Sequence, residues 1–368
     1  MDILNNLFPN LYDWLAGVLH ALLAGLNLRA DVESAIVAGI MGLIVVVVLL
    51  LWLVLMVLAM IWFERKTAAR VQDRVGPNRV GPWGLLQPIA DTIKMLIKED
   101  IIPANADRLV HTLAPMVTAA PAVLAFAVIP WGKGMSPVDL NIGLLWVVAI
   151  GSIGTIGLFM AGYGSNNKFS LLGGMRAVAQ MISYEVPQVL TIVVIALMAG
   201  SLSMNDIVAA QSGWNGLGWY IFAFPVGPIA FIVYYISALA EVNRTPFDIP
   251  EGESEIVAGH HTEYSGLKWG FFYVGEYFNF FLVCSVAATL FLGGWQGPLL
   301  PGYVWFIIKV YALVLLGMWI RMTWPRVRVD HLMKFAWQVL VPIALINILL
   351  ASLFVTYALP ALKQYGLF

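Results

Sequence analysis

Cysteine is almost missing from this chain: Cys284 is the only one, and it sits in an apolar run. That excludes an intrachain disulfide and any iron–sulfur or zinc centre built from thiolates. If the protein takes part in redox chemistry, other chains carry the electrons. Cys284 itself reads as a small buried apolar residue. Charge is also scarce, at 11% of 368 residues, where soluble domains carry about 25%. The net charge of −1 gives no pull toward nucleic acid. Base is absent from the amino terminus, where Asp2 is the first charge and Arg29 the first basic residue. A secretory signal needs a positive n-region, so these residues are not one. No catalytic triad, P-loop or dinucleotide fingerprint occurs. Gly173-Gly174 and Gly293-Gly294 lack phosphate-motif spacing and read as helix packing or loops. No internal repeat is visible, which counts against a stand-alone transporter built from inverted halves. No connection is long enough for a sizeable soluble domain, so membership of a larger assembly is expected.

What the chain has is apolar length. It is 61% hydrophobic, with a mean hydropathy of +0.85. A helix needs about 20 apolar residues to cross a hydrocarbon core. Eight segments qualify: Ile36–Trp62, Leu109–Ile129, Gly143–Gly162, Ala177–Ala199, Leu217–Ala240, Trp269–Leu292, Tyr303–Arg321 and Phe335–Leu359. The expected fold is all-α and polytopic, with eight transmembrane helices plus cytoplasmic amphipathic helices. Residues 36–359 form the membrane domain. Residues 1–35 form a periplasmic-side or interfacial segment, and 360–368 a short tail. Sixteen of the 20 basic residues fall in the first, third, fifth and seventh connections. The positive-inside rule makes those connections cytoplasmic and both termini periplasmic.

The first connection, residues 63–107, carries ERKTAARVQDR, which is expected to extend the first helix past the membrane as a basic amphipathic segment, then VGPNRVGPWG with two Gly-Pro turns, then LLQPIADTIKMLIKED. In the last stretch Leu85, Leu86, Ile89, Ile93, Leu96 and Ile97 recur at helical spacing, with Asp91 and Lys94 opposite. Such a helix lies along the membrane interface or roofs a cavity against a soluble partner. The fifth connection, residues 241–268, collects Glu241, Asp248, Glu251, Glu253, Glu255 and Glu263 against Arg244 and Lys268. Two further carboxylates lie inside spans, Glu185 and Glu276. Intramembrane ionisable groups cost a few kcal/mol each and point to function. Glu241 with Arg244, three residues on, reads as a buried pair. Glu185 and Glu276 have no partner near them in sequence. Pro187, two residues past Glu185, is expected to open the helix there. Desolvation favours the neutral form of a carboxylate, so a line of them handles protons rather than fixed charge. His260 and His261 are adjacent, which is poor geometry for joint ligation, and no metal site is expected.

GLLQPIADTIKMLIKED (Gly84–Asp100) and PFDIPEGESEIVAG (Pro246–Gly259) resemble two signature stretches of one membrane-protein family of respiratory complex I, the proton-pumping NADH:quinone oxidoreductase. The family is that of its H-type membrane component, also numbered 1. The pieces ERK (Glu64–Lys66), RVGPNRVGP, SYE (Ser183–Glu185), HTEYSG (His261–Gly266), FLGGW (Phe291–Trp295) and Trp324–Asp330 also fit. The resemblance runs from about residue 36 to 358. It implies an eight-helix membrane subunit, with soluble quinone-site subunits on its cytoplasmic face and small and antiporter-like membrane subunits beside it. It implies quinone as substrate, no cofactor on this chain, and NADH, FMN and iron–sulfur clusters on partners. It places the protein in a bacterial inner membrane, ahead of an organellar one. Matched by position, Arg65, Arg74, Asp91, Arg244 and Phe247 fall at the quinone tunnel. Glu185, Glu241, Glu251, Glu253, Glu255, Glu276, Arg176 and Arg326 fall on the proton path. The family has alanine where this chain has Gly252, with no functional change expected. Some relatives carry a glutamate in the third span; here that span holds no charge. The nearest alternative is the equivalent component of a membrane-bound hydrogenase. The alternative of another class is a stand-alone ion transporter.

Overall fold

The computed structural model describes residues 7–24 and 30–360, and every regular element among them is helical. Ten helices carry the architecture: α1 (Leu7–Ala24), α2 (Ala30–Val71), α3 (Gln87–Ile97), α4 (Arg108–Ala125), α5 (Gly143–Gly164), α6 (Lys168–Ala199), α7 (Val226–Glu241), α8 (Gly266–Phe291), α9 (Gly302–Thr323) and α10 (Val329–Ala358). Seven of them are long and apolar enough to cross a membrane: α2, α4, α5, α6, α8, α9 and α10. The protein is therefore a multi-pass membrane protein. The eighth expected span, Leu217–Ala240, is different. Its helix begins only at Val226 and has 16 residues. Residues before it form a turn, with a short 3-10 stretch at Tyr220–Phe222. Gln211 explains how that irregular backbone is tolerated. Its side chain accepts from the Tyr220 N–H and donates to the Thr289 carbonyl, so backbone groups freed from a helix find partners in the protein.

Helix α2 has 42 residues, about 63 Å at 1.5 Å per residue. It outruns any bilayer, and its last turns carry Glu64, Arg65, Lys66 and Arg70 beyond the apolar run. The starts of α4 and α6 are set by side chains. Asp107 accepts from the N–H groups of Leu109 and Val110, and Asn167 from that of Phe169. These satisfy donors that a helix start leaves open. Helix α6 continues through Pro187 as one 32-residue element, so the proline does not break it beside Glu185. In α10, π-helical turns occupy Ala336–Leu340 and Phe354–Ala358.

Helix α8 is the most enclosed. From Phe280 to Phe291 each of its residues is buried. Phe281 meets Phe126 and Trp131, and Trp131 meets Phe306, with centroids 5.4–6.1 Å apart. This aromatic knot joins the segment just after α4 to α8 and α9. Helix α1 packs at the other end of the bundle from the 241–268 connection. Phe8 lies edge-on to Tyr303 at 6.0 Å. The boundary segment 1–35 lies partly outside the described residues, and the tail 360–368 almost wholly so.

Candidate functional site: two buried carboxylate groups joined by small cavities

The first group forms around Arg244, on the turn that follows α7. It is 3% exposed. Its Nη1 donates to both oxygens of Glu64, at 3.0 and 3.1 Å. Its Nε lies 2.7 Å from Glu276 Oε1. Tyr277 donates its hydroxyl to Glu64 at 2.6 Å, and Arg321 pairs with the same carboxylate. The guanidinium also rests 4.4 Å from the Tyr277 ring centre. Two arginines thus balance two carboxylates, and α2, α8, α9 and the α7 turn are tied at one point. The expected Glu241–Arg244 pair does not form; Arg244 reaches Glu64 and Glu276 instead. The backbone leaves α7 in a turn, with Asn243 at φ +55° and the Arg244 N–H bonded back to the Leu239 carbonyl. Sequence reasoning marks Glu64 only within the ERK motif and misses it as a site residue. A signal for it exists: it is the first charge after 30 uncharged residues, 34–63.

Glu241 faces the second group. Its Oε2 is buried without a hydrogen-bond partner. It lines a cavity of about 40 Å³ with Glu185, Gln188, Tyr234, Gly151 and Asn279. Ser152 of α5 donates to Glu185, so the charge-free third span contributes a hydroxyl instead of a carboxylate. A second cavity of about 30 Å³ is lined by Glu251, His260, His261, Glu276, Asn279 and Glu241. Glu241, Asn279, Met181 and Val242 border both cavities. One water needs roughly 10–15 Å³ of this kind of space, so each cavity can hold two or more. Glu276, Glu251, Glu241 and Glu185 therefore line two neighbouring cavities, each large enough for water.

The acidic connection is pressed onto α6. A Cβ on Gly173 would lie 2.5 Å from Gly259 Cα, so the two backbones touch there. Gly259 has φ +55°, and a Cβ on it would collide with the Pro250 carbonyl oxygen. Gln180 of α6 reaches the carbonyls of Ala240 and Phe247 at 2.7 and 2.6 Å. Phe247 is buried against Tyr184 at 5.6 Å. Glu255 meets Arg176 at 2.6 Å and Arg326 at 4.0 Å. Glu253 lies on the turn Glu253–Ile256, and its side chain is outside the described residues. Gly252 sits against Arg326: an added Cβ would collide with Nη1 and Nη2. An alanine here shifts the flexible end of the Arg326 side chain.

Burial and the charge of Glu251 push Asp248 up to about 6, against the pull of Arg326, Arg321 and Arg244. Its Oδ1 has no partner. Burial alone would raise Glu251, but the hydrogen bond from His261, at 2.7 Å, and the neighbouring histidines hold it below the usual carboxylate range. Desolvation and the adjacent His261 push His260 down to about 3. The donor atoms of Glu251, His260 and His261 all lie within 4.8 Å of one another. Adjacency in sequence does not separate them, because the turn at Gly259–His261 brings the two rings to 4.0 Å at a 38° tilt.

On α3, Asp91 takes Arg65 at 2.5 Å, with Gln87 at 3.2 Å and Lys94 at 3.9 Å. Arg74 bonds Gln72 at 2.7 Å and is not joined to this pair. The outer face of α3 leaves Ile89, Ile93, Leu96 and Ile97 exposed. Its end is tied to α8, with Lys268 on Asp100 at 2.9 Å and Ser265 between Glu99 and Ile101.

Known proteins match this chain over most of its length. The family model described as NADH dehydrogenase covers residues 44–352. The NADH-quinone oxidoreductase H subunit of Dehalococcoides mccartyi is 51% identical over 310 residues, 84% of this chain and 86% of the relative. The protein of that name from Carboxydothermus hydrogenoformans is 50% identical over 314 residues, 84% and 88% of the two chains. The one from Bacillus thuringiensis is 52% identical over 295 residues, 79% and 86%. With a family match that spans its bundle and relatives this similar, the chain belongs to the NADH dehydrogenase family, among the H subunits of NADH-quinone oxidoreductase.

Proposed function

We propose that this chain is the membrane subunit through which quinone reduction is coupled to proton movement in a proton-translocating NADH:quinone oxidoreductase of a bacterial inner membrane. Helix α7 is read as the short eighth crossing, and both termini as periplasmic. Soluble subunits that complete the quinone site dock over α3 and the 241–268 connection, and the antiporter-like subunits lie beyond Glu185. With one cysteine, the donor set does not fit an iron–sulfur cluster, so electron carriers belong to those partners. Quinone enters between α2 and α3, where Arg65 and Asp91 pair.

The observation that carries the reading is the run of carboxylates along two adjoining cavities, with Glu241 and Asn279 in the shared wall. Negative charge created by quinone reduction draws protons toward Glu251 and Glu276. A proton then passes by water to Glu241 and on to Glu185, where Ser152 holds the acceptor oxygen. Arg244 keeps Glu276 oriented and the cluster neutral overall.

Glu185→Gln removes the terminal acceptor while preserving shape. Proton uptake coupled to NADH:quinone turnover in sealed vesicles is expected to fall at least tenfold. Pumping at the native level contradicts the path. Asp91→Asn breaks the pair with Arg65 and is expected to raise the KM for quinone about tenfold, with kcat changed less. An unaltered KM removes α3 from the entry site.

A further inference from the structure

We propose that Glu251, His260 and His261 form a site for a single divalent transition-metal cation of the zinc class. Their three donor atoms converge within 4.8 Å. His260 is 2% exposed, and its Nδ1 has no hydrogen-bond partner. Buried imidazole nitrogens are rarely left this way, since unsatisfied polar groups are costly. All three residues line the 30 Å³ cavity, which leaves room for a water as a further ligand.

Two imidazoles and a carboxylate with one open position are a zinc donor set, at roughly 2.0–2.2 Å from the metal. Tetrahedral ligands at that distance stand about 3.3 Å apart. The His261–Glu251 contact, now 2.7 Å, would open slightly, and the third donor would close in. The cation would take the place of the proton shared by His261 and Glu251. Phe272 stands edge-on to both histidine rings, at 5.7 and 5.3 Å, so the wall behind the ligands is apolar and fixes their planes. A cation here would pin the connection to itself, because Glu251 and the two histidines flank the turn Glu253–Ile256.

The test is equilibrium binding of radioactive Zn²⁺ alone to the purified, chelator-washed complex, and it does not depend on the proton path. The native complex is expected to bind one equivalent more, at micromolar Zn²⁺, than complexes carrying His260→Ala or Glu251→Gln. His260→Cys, which supplies another zinc ligand, is expected to keep that equivalent. A purely structural role for His260 would not distinguish cysteine from alanine in this way. Where the alanine variant fails to assemble, His260→Phe retains the ring volume and makes the same comparison. Equal zinc content in native and substituted complexes overturns the site, as does loss of the equivalent in the cysteine variant.

Discussion

Arg244 is the residue on which most depends. It is buried, it bridges Glu64 and Glu276, and Arg321 alone cannot neutralise both. Removing one partner of a buried ion pair costs about 3–5 kcal/mol, because the other charge is left uncompensated. Arg244→Met is expected to lose that much, read as a lower melting temperature of the purified complex or failed assembly on native gels. A native melting point contradicts the network. Asp248 makes a second prediction, about pH. Its native value of about 6 lies above the ordinary 3.8. The folded connection therefore binds the proton more tightly than the unfolded chain between those limits. The contribution of Asp248 to its stability rises as pH falls from above 6 toward 4, and the cost of the charged form is fully present above 6. In Asp248→Asn that contribution should vanish and leave the opposite slope of His260, whose value of about 3 makes stability fall as pH drops below 6.5. Hydrogen exchange of residues 246–265 at pH 5 and pH 7 reads it; an unchanged pH dependence assigns the slope to another group.

At the scale of elements, the acidic connection is a shaped piece of the bundle rather than a solvated loop. Its backbone meets α6 at Gly173 without an intervening side chain. Gly173→Ala is expected to lift the connection, at about 1–3 kcal/mol for forced overpacking. Exchange at residues 256–264 should rise and coupled activity fall; exchange at the native rate would show that the contact is dispensable. The π-turns of α10 are less legible in the sequence. The extension of α2 past its apolar run to Val71 is legible in ERKTAARVQDR, but the partners that Glu64 finds there, Arg244 and Arg321, are not. The late start of α7 depends on Gln211, a residue nine positions upstream of the turn it satisfies. Neither partner is visible in a local pattern.

For the whole molecule, hydropathy and basic-residue asymmetry read the helical class and most crossings directly, because a bilayer imposes length and composition on single segments. The carboxylates Glu185, Glu241, Glu251 and Glu276 are also legible, since charge stands out in apolar runs. Their pairing is not. Sequence distance assigns Arg244 to Glu241, while the folded turn gives it to Glu64 and Glu276 and leaves Glu241 free to face two cavities. That freedom is central to the proposed coupling. A salt-bridged Glu241 would be a fixed charge; one with a free Oε2 and no cationic partner, in a hydratable wall, can accept and pass a proton. The decisive quantity is the number of protons pumped per quinone reduced by Glu241→Gln in sealed proteoliposomes. If Glu241 relays the proton, the ratio falls at least tenfold while the complex still assembles. A native ratio in an assembled complex would contradict the relay.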